Sequence, residues 1–237
     1  MGKRIIQQAR GKGSHTYRVP RQAFSIRLKY PKELSGEGVV MSLVNSKGHS
    51  APLAKIKYSD GVFYIPACKG MVEGQKINFE KYPKGHEGIE NGNILKLKDI
   101  PIKTAVYNIE SRPRDGGVFI RSAGSSATIN RVSENGVFVV MPSKKEKKFH
   151  GNCRATIGEI AGTGRLDKPI LKAGKQFYIK KARNKLWPRT SAVKMNVIDH
   201  PFGSGRGKNP KSKVAKRNAP AGKRVGLIRP RRTGHRR

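Results

Sequence analysis

Asp199-His200 is the pair best suited by residue type to move a proton, since a carboxylate beside an imidazole can orient or charge it. Side chains of adjacent residues rarely face each other, however. No serine or cysteine nucleophile is placed by spacing in the surrounding run Met195-Asn196-Val197-Ile198-Asp199-His200-Pro201-Phe202-Gly203-Ser204-Gly205-Arg206-Gly207-Lys208. Its glycines permit a kinked path close to another backbone, which favours a packing loop over a catalytic one. The two cysteines, Cys68 and Cys153, lie far apart behind an N-terminus without a secretion signal, and read as reduced thiols of an intracellular protein. Cys153 reads as a small buried hydrophobe, not a nucleophile. His15, His49, His86, His150, His200 and His235 show no metal-ligand spacing, and with no Cys-x-x-Cys motif a structural zinc site is not expected. Phosphate-loop, Gly-x-Ser-x-Gly and His-Glu-x-x-His patterns are absent from the sequence.

The remaining chemistry is cationic. Ser111-Arg112-Pro113-Arg114-Asp115-Gly116-Gly117 is followed closely by Arg121-Ser122-Ala123-Gly124. Glycine turns let backbone amides approach phosphates, and each arginine presents a forked donor matched to two phosphate oxygens. The same residues also suit an ordinary loop with solvated arginines. In Asn152-Cys153-Arg154-Ala155-Thr156-Ile157-Gly158-Glu159, Arg154 and Glu159 can form a structural pair beside a turn. Lys180-Lys181-Ala182-Arg183-Asn184-Lys185-Leu186-Trp187-Pro188-Arg189 holds the only tryptophan. Trp187 either stacks on a base or anchors the core of a second barrel.

Composition supplies the context for these groups. The 237-residue, 26.2 kDa chain carries 51 Lys and Arg against 15 Asp and Glu, a formal charge of +36 at pH 7. A free enzyme so charged would repel itself and collect polyanions, and the regular negative partner it calls for is nucleic acid. Mean hydropathy is −0.62, and no stretch nears the ~18 apolar residues of a membrane helix, so no membrane partner is expected. Residues 1–36 hold nine basic residues and one acid, while 201–237 hold thirteen basic residues and no acid. The tail around Lys208–Pro220 cannot bury enough apolar surface to order itself in water; against phosphates it can become an extended arm. A solvated tail or a localisation signal is the alternative.

Between these ends the chain reads as β structure. Short β-branched or aromatic runs recur at 37–44, 54–58, 62–66, 93–98, 104–110, 117–121, 126–131 and 136–141, with a further unit starting at 71–77. Turn signals such as Ser59-Asp60-Gly61 recur every ~8–14 residues, which points to small barrels and not to a βαβ sheet. Helix signals are confined to 155–160 and 180–185. The break between the two strand sets falls near 90–100.

Asn196-Val197-Ile198-Asp199-His200-Pro201-Phe202-Gly203-Ser204-Gly205 resembles the Asp-His-Pro-x-Gly-Gly-Gly loop of the universal large-subunit ribosomal protein family L-two. Arg121-Ser122-Ala123-Gly124, Cys153–Glu159, and Ile100-Pro101 with Val106–Glu110 are similar to further signatures of that family in the same order. The opening Gly11-Lys12-Gly13-Ser14 resembles the archaeal–eukaryotic branch, and the archaeal type above all. The resemblance implies an OB-like barrel followed by an SH3-like barrel, a mainly β fold with extended basic arms. It gives an N-terminal extension at 1–36, an OB-like barrel at 37–95, an SH3-like barrel at 96–200 and a C-terminal extension at 201–237. Ser204 departs from the family pattern by replacing its middle glycine.

On this basis the chain is expected to be a non-enzymatic structural constituent of the large subunit in the cytoplasmic ribosome. It would bind ribosomal RNA, support subunit association, and shape the surroundings of the peptidyl transferase region without doing its chemistry. The expected RNA contacts are Arg10, Lys12, Arg18, Arg112, Arg114, Arg121, Ser122, Arg154, Lys180, Arg183, Trp187, Arg189, His200, Gly203, Gly205, Arg206, Lys208, Lys211, Lys213, Lys216 and Arg217. His200 is read as a positioning contact. Expected partners are large-subunit RNA, neighbouring ribosomal proteins and the small subunit, with no second copy of the chain. No cofactor is expected; structural Mg²⁺ or monovalent ions would be bound mainly by the RNA. A DNA-coating protein of chromatin type shares the charge pattern and is the second reading; an enzyme using Asp199 and His200 is the third.

Overall fold

The structure, a computed structural model, describes residues 2–79, 90–204 and 213–229. It is mainly β. The chain separates into two compact units, Arg21–Lys172 and Met1–Pro20 with Ala173–Arg237. Residues 173–200, which the expected boundaries assign to the SH3-like barrel, cluster instead with the N-terminal segment.

In the 21–172 unit, β1 (Glu37–Val44), β2 (Leu53–Tyr58), β3 (Gly61–Pro66) and β4 (Lys76–Asn78) form one antiparallel sheet in the order β3-β2-β1-β4. Tyr58 pairs with Gly61, and Gly61 takes φ +148 to close the turn that the sequence marks there. The second sheet contains β5 (Ile94–Lys96), β6 (Ala105–Tyr107), β7 (Ala127–Ser133), β8 (Gly136–Val140), β9 (Glu146–Phe149) and β10 (Arg154–Ile157). Its order is β5-β10-β6-β7-β8-β9. Among the described residues, no strand pairing closes either sheet into a ring.

β10 corrects the expected helix at 155–160. It lies between β5 and β6, antiparallel to both, with all four residues buried. A strand covered on both faces loses period-two alternation, and its short apolar run cannot be told from a helical segment by pattern. Conversely, 117–121 is not a strand; it contributes only an isolated bridge, Ile109 to Phe119. The basic run at 144–148 hides β9, because lysines on an edge strand mask its β character.

The two sheets share an interior. Ile94 of β5 and Tyr107 of β6 join the first core with Val40, Ile56, Phe63, Ile65 and Ile77. Their neighbours Leu95 and Val106 join the second core with Ile129, Val137, Val139, Ala155 and Ile157. Alternation along β5 and β6 thus sends successive side chains into different cores. Two tyrosine hydroxyls at this junction are satisfied locally. Tyr30 and Thr156 hydroxyls are 2.5 Å apart, and the Tyr107 hydroxyl donates to the Pro66 carbonyl at 3.0 Å. Burial pushes both phenols well above their usual range.

The strongest polar link is Glu110 with Arg154. Glu110 is fully buried, and Arg154 Nη2 and Nε donate to its Oε1 at 2.6 and 3.0 Å. The Arg154 backbone N–H donates to Oε2 at 2.8 Å, while Glu110 N–H donates to the Arg154 carbonyl at 3.0 Å.

In the other unit, α1 (Ile6–Gly11) and α2 (Ala173–Ala182) accompany a parallel pair, β11 (Val214–Ala215) with β12 (Leu227–Ile228). Part of the C-terminal segment expected to be without regular structure therefore pairs with itself, with Ala215 buried. The helix expected at 180–185 starts earlier, at Ala173. It buries no residue, so its sequence lacks the apolar stripe that betrays a packed helix.

Arg154→Ala leaves a buried carboxylate unpaired and is expected to cost about 3–5 kcal/mol of stability. Urea denaturation would read this as a lower midpoint with unchanged slope. Pairing it with Glu110→Gln should cost less than the two single changes added together.

Candidate nucleic-acid interface

The segment 111–117 is held from inside by two carboxylates. Asp115 Oδ2 accepts from the N–H groups of Ser111 (2.8 Å) and Arg112 (3.0 Å), and its Oδ1 from Gly117 (3.0 Å). Glu110 accepts from the N–H groups of Gly116 (3.1 Å) and Arg114 (3.3 Å). The expectation that these amides would approach phosphates is corrected, because carboxylates already occupy them. What the loop presents outward is side chain: Arg112 and Arg114 are exposed, the latter from a left-handed residue at φ +68. Gly116, at φ +91, is required by space, since a Cβ there would lie 2.2 Å from Lys29 Cγ.

Arg121 is half-buried, with its Nε donating to Asn108 Oδ1 at 3.2 Å. Burial pulls its guanidinium below the usual value, but arginine remains charged at neutral pH. Beside it Ser122 is exposed, while the Ala123 N–H donates to Ser50 Oγ at 3.0 Å and ties this segment to the loop after β1. Glu110, Asp115 and Asn108 are the positioning residues that sequence reasoning passed over. For Glu110 and Asp115 the available signal was the rarity of acids in a chain of +36.

Arg154 belongs to a different category from its expected companions. Its guanidinium is occupied by Glu110 and its side chain is 11% exposed, too enclosed to offer a fork to a phosphate. Nor does it pair with Glu159, which instead meets Lys69 Nζ at 3.9 Å and accepts from Thr163 Oγ1 at 3.0 Å. Arg154 holds the frame from which Arg112 and Arg114 project.

In the unit containing both chain ends, Lys12, Arg18 and Arg189 are exposed, and Arg10, Lys180 and Arg183 are half-buried. Arg18 Nε donates to the Gly13 carbonyl at 2.7 Å. Asn184, left-handed at φ +47 just after α2, donates from Nδ2 to the carbonyls of Thr16 (2.8 Å) and Arg18 (2.6 Å). That fastens the N-terminal segment to the turn after the helix. Trp187 is half-buried and lies in the unit of residues 1–20 and 173–237.

Asp199 and His200 do not form a dyad. Lys3 Nζ lies 3.8 Å from Asp199 Oδ1, and His200 Nδ1 accepts the Phe202 N–H at 3.1 Å. That bond places the proton of a neutral His200 on Nε2, leaving a donor and no free basic nitrogen. His200 lines a cleft of about 720 Å³ together with Lys3, Arg4 and Lys223, an arrangement suited to an anion. Gly203 is buried, and a Cβ on it would come 2.4 Å from the Asn196 carbonyl oxygen. Ser204 sits at φ +106, where glycine is preferred. Gly205, Arg206, Lys208 and Lys211 lie outside the described residues; Lys213, Lys216 and Arg217 are exposed.

Among the described residues, no three His, Cys, Asp or Glu side chains are grouped to hold a metal ion, and no helix is long and apolar enough to cross a membrane.

Residues 90–222, more than half of the chain, match the family model described as Ribosomal Proteins L2, C-terminal domain. The chain is 43% identical over 241 residues to the large ribosomal subunit protein uL2 of Methanococcoides burtonii, all of both chains being covered. It is 43% identical over 242 residues to that of Archaeoglobus fulgidus, again over the whole of both. With the Hyperthermus butylicus protein of the same name it shares 44% over 240 residues, covering 100% of this chain and 99% of the relative.

Cys153 is fully buried and its thiol is pushed up to about 11 by loss of solvent. Iodoacetamide at pH 8 is expected to alkylate it only after denaturation, read by mass spectrometry of the peptide. Ser204→Gly should stabilise its loop by about 1 kcal/mol, the released backbone strain outweighing the greater freedom of glycine when unfolded. Slower hydrogen exchange at the residue-204 amide, which donates to the Met195 carbonyl, would report it.

Proposed function

Because the chain belongs to the ribosomal protein L2 family, uL2 of the large subunit, we propose that it binds ribosomal RNA through solvent-facing cations held on carboxylate-braced loops. It is a structural ribosomal protein and not an enzyme. The observation that carries the RNA-binding reading is the sorting of charge at 110–117. The acids there turn inward onto backbone amides, while Arg112 and Arg114 turn outward. Loops built this way present guanidinium groups at low reorganisation cost to a phosphate lattice, and recognise RNA by shape and backbone.

The proposed contact set is Arg10, Lys12, Arg18, Arg112, Arg114, Arg121, Ser122, Lys180, Arg183, Trp187, Arg189, His200 and Gly203, with Lys213, Lys216 and Arg217 in the tail. Gly205, Arg206, Lys208 and Lys211 extend it by sequence alone. Arg154 is left out, for its fork is taken. His200 would act as an Nε2–H donor beside the cations of its cleft, positioning RNA around the peptidyl transferase region without exchanging protons in the reaction. Neighbouring ribosomal proteins and the small subunit are the further partners, within the cytoplasmic ribosome. Remaining phosphates would be neutralised by Mg²⁺ and monovalent ions held by the RNA.

The test is the triple change of Arg112, Arg114 and Arg183 to alanine in the full chain. Melting of the free protein should barely move. The slope of log affinity for large-subunit RNA against log salt should shrink by about 2–3, and incorporation into subunits at raised salt should fall. Equal incorporation would overturn the contact set. Subunits carrying His200→Ala are expected to assemble and still form peptide bonds.

A further inference from the structure

Away from the loops above, the outer face of β7, β8 and β9 carries three residues in one cross-strand row. Arg131 pairs with Phe138, and Phe138 with Lys148. The Arg131 guanidinium carbon sits 4.0 Å from the centre of the Phe138 ring, and Lys148 Nζ lies 6.0 Å from that centre. A register shift between Ile129 and Arg131 brings the arginine opposite the ring, the kind of re-aiming a β-bulge provides. Glu146 then braces the group. Its Oε1 accepts from Asn130 Nδ2 at 2.8 Å, and its Oε2 lies 3.4 Å from Arg131 Nη2.

Held by a ring and a carboxylate, Arg131 still keeps 60% of its side chain in solvent. The ionic partner matters to what can bind there. A phosphate meeting this guanidinium would also meet the charge of Glu146, whereas an uncharged base would not. Arginine and aromatic faces are the surfaces on which unpaired RNA bases stack. Lys148, on the other side of Phe138, is placed to meet the phosphate that flanks such a base.

We propose that the Arg131–Phe138–Lys148 row, braced by Glu146, is a stacking platform for one unpaired RNA base. This deepens the RNA-binding reading and rests on it, and it adds a contact made by shape and π-surface to a set made mostly by charge. No residue of this row stands in the contact set above.

The experiment compares the full chain with Arg131→Lys and Phe138→Leu against two probes over one shared series of salt concentrations. One probe is a short single-stranded oligoadenylate, the other the same backbone without its bases. Arg131→Lys keeps the charge and removes the planar group at an exposed position, so the fold is not at stake. Each change is expected to lower the preference for the base-bearing probe about fivefold or more, with affinity for the abasic probe and the salt slope unchanged. An unchanged preference in both variants overturns the platform. So does equal weakening on both probes, which would make Arg131 a phosphate contact only. Failure of the wild-type chain to bind either probe would instead bring down the RNA-binding reading itself.

Discussion

One buried ion pair, Glu110 with Arg154, ties together the late and early parts of the 21–172 unit. Glu110 follows β6 and Arg154 begins β10, so the pair fixes where a late strand enters between two early ones. The same carboxylate accepts the amides of Arg114 and Gly116, which sets the path of the exposed loop. A carboxylate with no solvent access would be costly alone; here it is matched by a guanidinium and several N–H donors. Frame and loop therefore depend on one acid in a chain that has few.

That arrangement accounts for how so basic a protein stays folded. Acids are placed where they hold backbone, at Glu110 and Asp115, or where they temper a cation, as Glu159 does for Lys69 and Glu146 for Arg131. Most cations are left facing solvent, and a partner must neutralise them. The unit formed by the chain ends follows the same logic with fewer apolar contacts. Its helix α2 buries no whole residue, and isolated helices shorter than ~12–15 residues are marginal in water.

Legibility in the sequence followed the range of the interactions. β1 to β3 pair with near neighbours across short connections, and alternation along β1 is plain in Gly38 and Val40 against Glu37 and Val39. β10 pairs across nearly sixty residues with β5, and nothing local announces it. Likewise Arg112, Arg121 and Arg154 are the same residue type in similar glycine-rich company, yet one is exposed, one half-buried and one occupied by Glu110. Residue type specifies what a side chain can bind; the surroundings specify whether it is free to bind.

Taken alone, the sequence determined a charge of +36 that calls for a polyanionic partner, a fold built of short strands, and which family the ordered motifs resemble. These follow from composition and local spacing, which survive without a third dimension. The tertiary structure alone decided which amides and cations are already satisfied. It turned the glycine-loop amides onto carboxylates, drew Arg154 inside, separated Asp199 from His200 and set Arg131 over Phe138. Each of those outcomes depends on contacts between residues that folding, and not sequence proximity, brings within a few ångströms or turns apart.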